Sequence, residues 1–203
     1  MSSTIEQLAA DLQPLAVAEY TQLPPAPKPV PAKPAAAKPA APGAAAAAGA
    51  APAAPAAPAT PPAPPPPPPP PPKPVRVLNF NEAGVHLDAC ITPDKVVESA
   101  KIMERHGYAI DAVTGMDWLA QGLMEVVYDY LHFSSGLRVA IRTRIPRSEP
   151  SIATISNVYQ GANWHERETH DMFGITFVGH PDLTPFLLPD DADFHPLRKD
   201  YNP

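Results

Sequence analysis

From residue 23 to residue 75 the chain is almost wholly proline and alanine, interrupted by Lys28, Lys33, Lys38 and Lys73 and by no acid. Of the 32 prolines, 24 precede Val75. Proline fixes φ and lacks a backbone N–H, and alanine adds little apolar area, so this stretch cannot supply a layer of a folded domain. The expectation is a disordered Pro/Ala-rich linker over 23–75. Within it the uninterrupted prolines of 64–72 predict a polyproline II rod of roughly 28 Å at ~3.1 Å per residue. That rod reads as a spacer, with a ligand for an SH3-type groove as the functional alternative.

The 44% hydrophobic content is therefore inflated by alanine, and foldable material begins near residue 76. From there the chain has 11 Lys+Arg and 18 Asp+Glu, an acidic balance that argues against a phosphate-backbone binder. Nucleic acid is not an expected partner. The single cysteine, Cys90, excludes an internal disulfide and cannot by itself ligate an iron-sulfur cluster. No run of 18 apolar residues is present, and the opening "MSSTIEQLAADLQ" lacks the basic and apolar regions of a secretory signal, so any membrane association is expected through partners.

Before the linker, Ile5, Leu8, Leu12 and Leu15 recur at helical spacing behind a Ser3 to Glu6 capping box, predicting a short helix limited by Pro14. On a long tether it reads as a frayed terminus or as a docking peptide. After the linker, "TPDKVVESAKIMERHG" carries Thr92 as N-cap, Pro93 in the first turn, Val96, Val97, Ala100 and Met103 on one stripe, and Gly107 as a stop. Three strand-like runs follow, "YAIDAVTGMDW", "LMEVVYDYLHF" and "LRVAIRTRIP", joined by short turns. In the last, Leu137, Val139, Ile141, Thr143 and Ile145 alternate with Arg138, Ala140, Arg142 and Arg144, giving one buried and one largely basic face. "SIATISNVY" and "ANWHERETHDMFG" are expected to be helical, the second ending at Gly174, and a brief strand follows over 175–178.

The fold class expected is α+β: a small antiparallel sheet with flanking helices, an extended C-terminal arm and a disordered N-terminal tether. The divisions are a short N-terminal helix (1–22), the linker (23–75), an α+β domain (76–178) and the arm (179–203).

The densest chemistry is "WHERETHDMFGITFVGHPDL", residues 164–183. His165 and His170 are five apart, not the four that put two zinc ligands on one helix face, so the metalloprotease motif is absent. Glu166, Glu168 and Asp171 are carboxylates without a nucleophile, phosphate loop or nucleotide fingerprint elsewhere in the chain. Glu166 with His170 and Arg167 with Asp171 form i,i+4 pairs suited to an exposed helix. Trp164, Met172 and Phe173 beside these charges have the composition of a protein interface, and "HPLRKDY" near the end repeats it. No catalytic, cofactor-binding or metal-ligating residue is expected.

"GANWHERETHDMFGITFVGHPDL", then "LLPDD" and "HPLRKDY", resembles the signature of the 30 kDa subunit of NADH:quinone oxidoreductase, respiratory complex I. The resemblance is closest over 161–201, looser over 92–150, and does not reach 1–74. It implies a peripheral-arm subunit of a proton-translocating complex, on the cytoplasmic side of a bacterial inner membrane, with no redox cofactor of its own. FMN, iron-sulfur clusters and a quinone would belong to the rest of the complex. The implied partners are the quinone-site (49 kDa-type) subunit and neighbouring peripheral-arm subunits. The interface positions are Trp164, Glu166, Arg167, Glu168, Asp171, Phe173, Gly174, Gly179, His180, Pro181, Asp182 and Leu183, then His195, Pro196, Leu197, Arg198, Lys199, Asp200 and Tyr201. Thr184 and Pro185 stand where that family often carries two arginines. This departure keeps open the equivalent subunit of a membrane-bound nickel-iron hydrogenase, a formate hydrogenlyase or a reduced-deazaflavin dehydrogenase.

Overall fold

Alternation in the three strand-like runs builds the centre of the domain. The computed structural model describes residues 2–18 and 73–202; the expected polyproline rod and nearly all of the linker lie outside the described residues. In chain order the elements are α1 (Ser2–Leu12), β1 (Val75–Val77), α2 (Phe80–Ala83), β2 (Leu87–Ile91), α3 (Val96–Arg105), β3 (Ala109–Trp118), β4 (Leu123–His132), β5 (Leu137–Pro146), β6 (Ser151–Ala153), α4 (Ala162–Phe173) and β7 (Thr176–Val178). Five strands form one sheet in the order β1-β2-β5-β4-β3. β3, β4 and β5 are an antiparallel meander as expected, with Tyr128 opposite both Val113 and Ile141. The sheet is not wholly antiparallel, however. β2 runs parallel to β5, Ala89 beside Ile141, because the chain crosses through α3 and the β3–β4 hairpin before β5 returns next to it.

One sheet face meets the helices. Leu87, Ile91, Val126, Tyr128, Val139, Ile141 and Ile145 pack there with Ala100 and Met103 of α3 and Phe173 of α4. Close approach of α4 to the sheet needs Gly115: a Cβ at that position would lie 2.6 Å from a ring carbon of Phe173. The face expected to be basic is neutralised by acids on neighbouring strands. Arg142 donates to Asp88 at 2.8 Å and Arg144 to Glu125 at 3.1 Å, with Arg76 also on Asp88 and the Trp118 indole N–H on Glu125 at 3.3 Å. Asp88 and Glu125 are buried beneath the arginine stems, so these pairs are shielded from water on one side.

Two further expectations are corrected. "SIATISNVY" is not a helix: Ser151–Ala153 forms β6, parallel to β7, with Ile152 beside Phe177. The reason is local. Ile152 and Ile155 are β-branched and both buried, and the Thr154 hydroxyl accepts the Ser156 N–H at 3.0 Å, an alternative to helical bonding. Nor is the N-terminal helix a separate or frayed piece. α1 packs on β1, β2 and α3 and buries Ile5, Leu8 and Leu12, with Leu15 in the following single turn at Pro14. Each such side chain gives about 1.5–3 kcal/mol when fully buried.

Gly115→Ala is expected to lower stability by roughly 1–3 kcal/mol through overpacking against Phe173. Urea unfolding followed by circular dichroism should show an earlier midpoint at unchanged slope.

Candidate functional site

The charged motif forms α4 as expected, and Gly174 ends it in the left-handed region at φ 70°. A helix leaves its last four carbonyls without intrahelical partners beyond its end. Here all four are satisfied. His170 O accepts the Gly174 N–H at 2.7 Å, Asp171 O the His195 Nδ1–H at 2.9 Å, Met172 O the Leu197 N–H at 3.1 Å and Phe173 O the Arg198 Nε–H at 2.7 Å. The segment 195–198, "HPLR", is therefore the C-terminal cap of α4, supplied from over twenty residues away. Gly174 is required twice, by its positive φ and because a side chain there would overlap the His195 ring and the Arg198 guanidinium.

The rest of the arm is tied down in the same way. Asp171 is buried, and its Oδ2 accepts the N–H groups of Phe186 and Leu187 at 3.0 and 2.9 Å. At the far end, buried Asp117 of β3 accepts the Lys199 N–H at 2.8 Å and Arg147 Nε–H at 2.8 Å, while Arg147 also donates to Asp200 at 2.6 Å. Burial alone would raise the Asp117 pKa, but the Arg147 hydrogen bond, the Lys199 N–H and the neighbouring guanidiniums outweigh it and hold the carboxyl below its usual range. Tyr201 stacks on Phe194 with ring centroids 5.6 Å apart.

Glu166 has a different role from the one its spacing suggested. Instead of pairing with His170, it is fully buried, accepts the Ile155 N–H at 2.8 Å and shares a short hydrogen bond with the Thr154 hydroxyl. The His180 side chain lies beside it, with Nε2 3.9 Å from a Glu166 oxygen. His180 Nδ1 accepts the Asp182 N–H at 3.1 Å, so the ring proton sits on Nε2 and is donated to Asn163 O at 3.2 Å. Burial pushes Glu166 up to about 7, against the lowering effect of the Thr154 and Ile155 hydrogen bonds. Arg167 does not pair with Asp171 either. It donates to Thr184 O at 2.8 Å and lies 5.1 Å and 5.0 Å from the ring centres of Trp164 and Phe186.

Most of the sequence-expected interface residues are either engaged internally or exposed, and Arg167, Leu183, Pro196 and Tyr201 are half-buried. Glu166, Asp171, Phe173, Gly174, His180, His195, Arg198 and the Asp200 carboxylate have internal contacts that bind α4, β6 and the arm together. Leu183 packs at the core margin and Pro196 is half-buried. Exposed are Trp164 (60%) and Leu197 (53%), with Glu168, Gly179, Pro181, Asp182 and the Lys199 side chain around them in sequence. Sequence reasoning missed Phe186 and Leu187, both exposed, and the anchors Asp117 and Arg147. The apolar "PFLLP" between two motifs was a signal for the first pair; nothing local marks the second. Among the described residues no group of three or more His, Cys, Asp and Glu side chains is placed to hold a metal ion.

Glu166 makes stability depend on pH with a definite sign. Its folded-state pKa, about 7, lies above the ordinary 4.5, so the fold binds the extra proton between those values. Its contribution is full below about pH 4.5 and is lost as pH rises through about 7, by at most about 3 kcal/mol. Glu166→Gln should flatten this dependence, so that urea midpoints of variant and wild type diverge in the variant's favour between pH 5 and 8.

Comparison with known proteins extends the geometry. The sequence profile of the family described as "Respiratory-chain NADH dehydrogenase, 30 Kd subunit" matches residues 89–203. An NADH-quinone oxidoreductase subunit of Roseiflexus castenholzii is 36% identical over 129 residues, 61% of this chain and 74% of that one. An F(420)H(2) dehydrogenase subunit of Methanosarcina mazei is 35% identical over 124 residues, 59% of this chain and 78% of that one. Among solved structures, a chain of the membrane-bound sulfane sulfur reductase, an archaeal respiratory membrane complex, superposes with a TM-score of 0.53 at 28% identity, covering 57% of this chain and 71% of that one. The family match takes in α3, β3 to β7, α4 and the whole described arm, and on it the chain belongs to the respiratory-chain NADH dehydrogenase 30 kDa subunit family.

Proposed function

We propose that this chain is a peripheral-arm subunit of a membrane-bound, proton-translocating NADH:quinone oxidoreductase, where it supports assembly and holds the quinone-site (49 kDa-type) subunit without a redox cofactor of its own. The observation that carries the reading is the division of labour around α4. Glu166 and Asp171 face inward, Asp171 fixing the arm, while Trp164, Phe186, Leu187 and Leu197 are exposed on the outside. The Trp164 and Phe186 rings meet edge to face at 5.4 Å with Arg167 against both, a rigid aromatic and cationic anchor of the kind that dominates protein interfaces. Cys90 is a single buried thiol, whereas an iron-sulfur cluster takes several thiolates, which is consistent with clusters lying in other subunits. Among the described residues no helix is long and apolar enough to cross a membrane. In this reading the chain is attached through its partners, at the cytoplasmic side of an inner membrane.

A second reading has its own support. The Methanosarcina mazei relative is named for F(420)H(2) dehydrogenase, and the superposed archaeal chain belongs to a sulfane sulfur reductase. These names support, as the alternative, the equivalent subunit of a reduced-deazaflavin dehydrogenase, nickel-iron hydrogenase or formate hydrogenlyase. Purifying the native membrane complex through a tag on this chain separates the two. Quinone-dependent NADH oxidation in the purified material supports the first; hydrogen, formate or reduced-deazaflavin oxidation without NADH activity supports the second.

Trp164→Ala combined with Leu197→Ala should leave the circular dichroism and urea midpoint of the isolated chain nearly unchanged. Recovery of the tagged complex from membranes should fall about tenfold or more, since removing a central anchor costs at least ~2 kcal/mol of association. Full complex yield with slowed turnover would contradict the assembly role.

A further inference from the structure

α1 precedes β1 in the chain and packs on β1, β2 and α3. Its apolar residues Ile5, Leu8 and Leu12, with Leu15 in the turn after it, recur at intervals of three, four and three, and all are buried. Asp11 meets His106, which follows α3, at 2.8 Å. Beyond the helix the chain adds briefly to the sheet: Ala16 bridges Ile91, Thr92 N–H reaches Leu15 O at 3.1 Å and Val17 N–H reaches Cys90 O at 3.2 Å. Cys90 in turn donates its own N–H to Pro74 O at 2.7 Å. The two ends of the connection that spans residues 19–72 are thus fastened to one residue of β2.

The helix is held by its apolar side-chain contacts and by these few bonds around it, the way an amphipathic helix lies in an apolar groove of another protein. The family match begins at Ala89, so both α1 and the β1 wall of the groove lie outside it.

We propose that the groove bounded by β1, β2 and α3 is a helix-binding site and that residues 2–17 are its detachable ligand, docked in cis. The chain then exists in docked and released states that differ by one helix–groove contact, and a helix with the same apolar spacing competes for the site. The N-terminal segment is a latch on the domain; it is not needed to complete the sheet, whose strands pair with one another.

The test uses the full chain with a specific protease site placed within residues 22–70. After cleavage, a fluorescent peptide of residues 2–18 is added and its anisotropy followed. The expected result is saturable exchange into the cleaved protein at micromolar concentration, abolished in a peptide carrying Leu8→Asp and Leu12→Asp. Hydrogen exchange on the uncleaved chain gives a second reading: α1 amides should exchange at least about tenfold faster than those of β4 and β5, through local opening. Failure of the peptide to enter, equal entry by the doubly substituted peptide, or α1 exchange only in step with Tyr128 and Ile141 would each overturn the proposal and make α1 an integral part of the core.

Discussion

Four carbonyl oxygens at the end of α4 organise the functional half of this protein. A buried helix terminus must find donors for them, and here three of the four come from a segment that would otherwise have no regular structure. His195, Leu197 and Arg198 supply those bonds, Asp171 reciprocates by accepting two arm N–H groups, and Asp117 anchors the end. The arm is irregular in backbone yet bonded along much of its length. Arg198 Nε reaches a carbonyl in a fixed geometry that a lysine ammonium would not reproduce with the same direction.

This constraint explains why acidic residues crowd one short motif. Burying Glu166 and Asp171 lets a twelve-residue helix hold the segment after β6 on one side and the arm on the other, through backbone N–H groups and the Thr154 hydroxyl rather than through opposing charges. The two carboxylates differ in consequence. Asp171 binds a loop; Glu166 sits beside a buried imidazole and two buried tyrosines, Tyr128 and Tyr130, whose phenols are pushed far up first by burial and further by neighbouring groups that include Glu166. With the inward positions so engaged, the exposed aromatic and aliphatic side chains are the ones available to other subunits.

Periodicity made the β3–β5 meander, α3, α4 and its stop at Gly174 legible, because each reports on burial along one element. It could not reveal which strand would sit beside β5. The parallel β2–β5 pairing is a matter of chain crossing, and Leu87–Ile91 is buried on both faces and so shows no alternation. The i,i+4 charge pairs were misleading for a related reason. Spacing shows that Glu166 and His170 share a helix face, but whether that face is wet depends on β6 and the arm, which arrive from elsewhere in sequence. The α1 pattern was read correctly as an apolar stripe, and its destination was hidden by the proline-alanine segment that separates it from the sheet it covers. The motif around Trp164 gave the family; it did not distinguish residues that bind partners from those that fold the arm.

On this reading the arm, from residue 186 to residue 200, is bonded to its own domain before any partner arrives. Amide hydrogen exchange by NMR on the isolated chain tests this at four positions: Phe186 and Leu187, bonded to Asp171, Leu197, bonded to Met172, and Lys199, bonded to Asp117. These amides should exchange much more slowly than those of an unstructured peptide, and Arg198→Ala should speed all four. Exchange of all four at random-coil rates in the isolated chain would contradict it and would mean that the arm takes this path only when another subunit holds it.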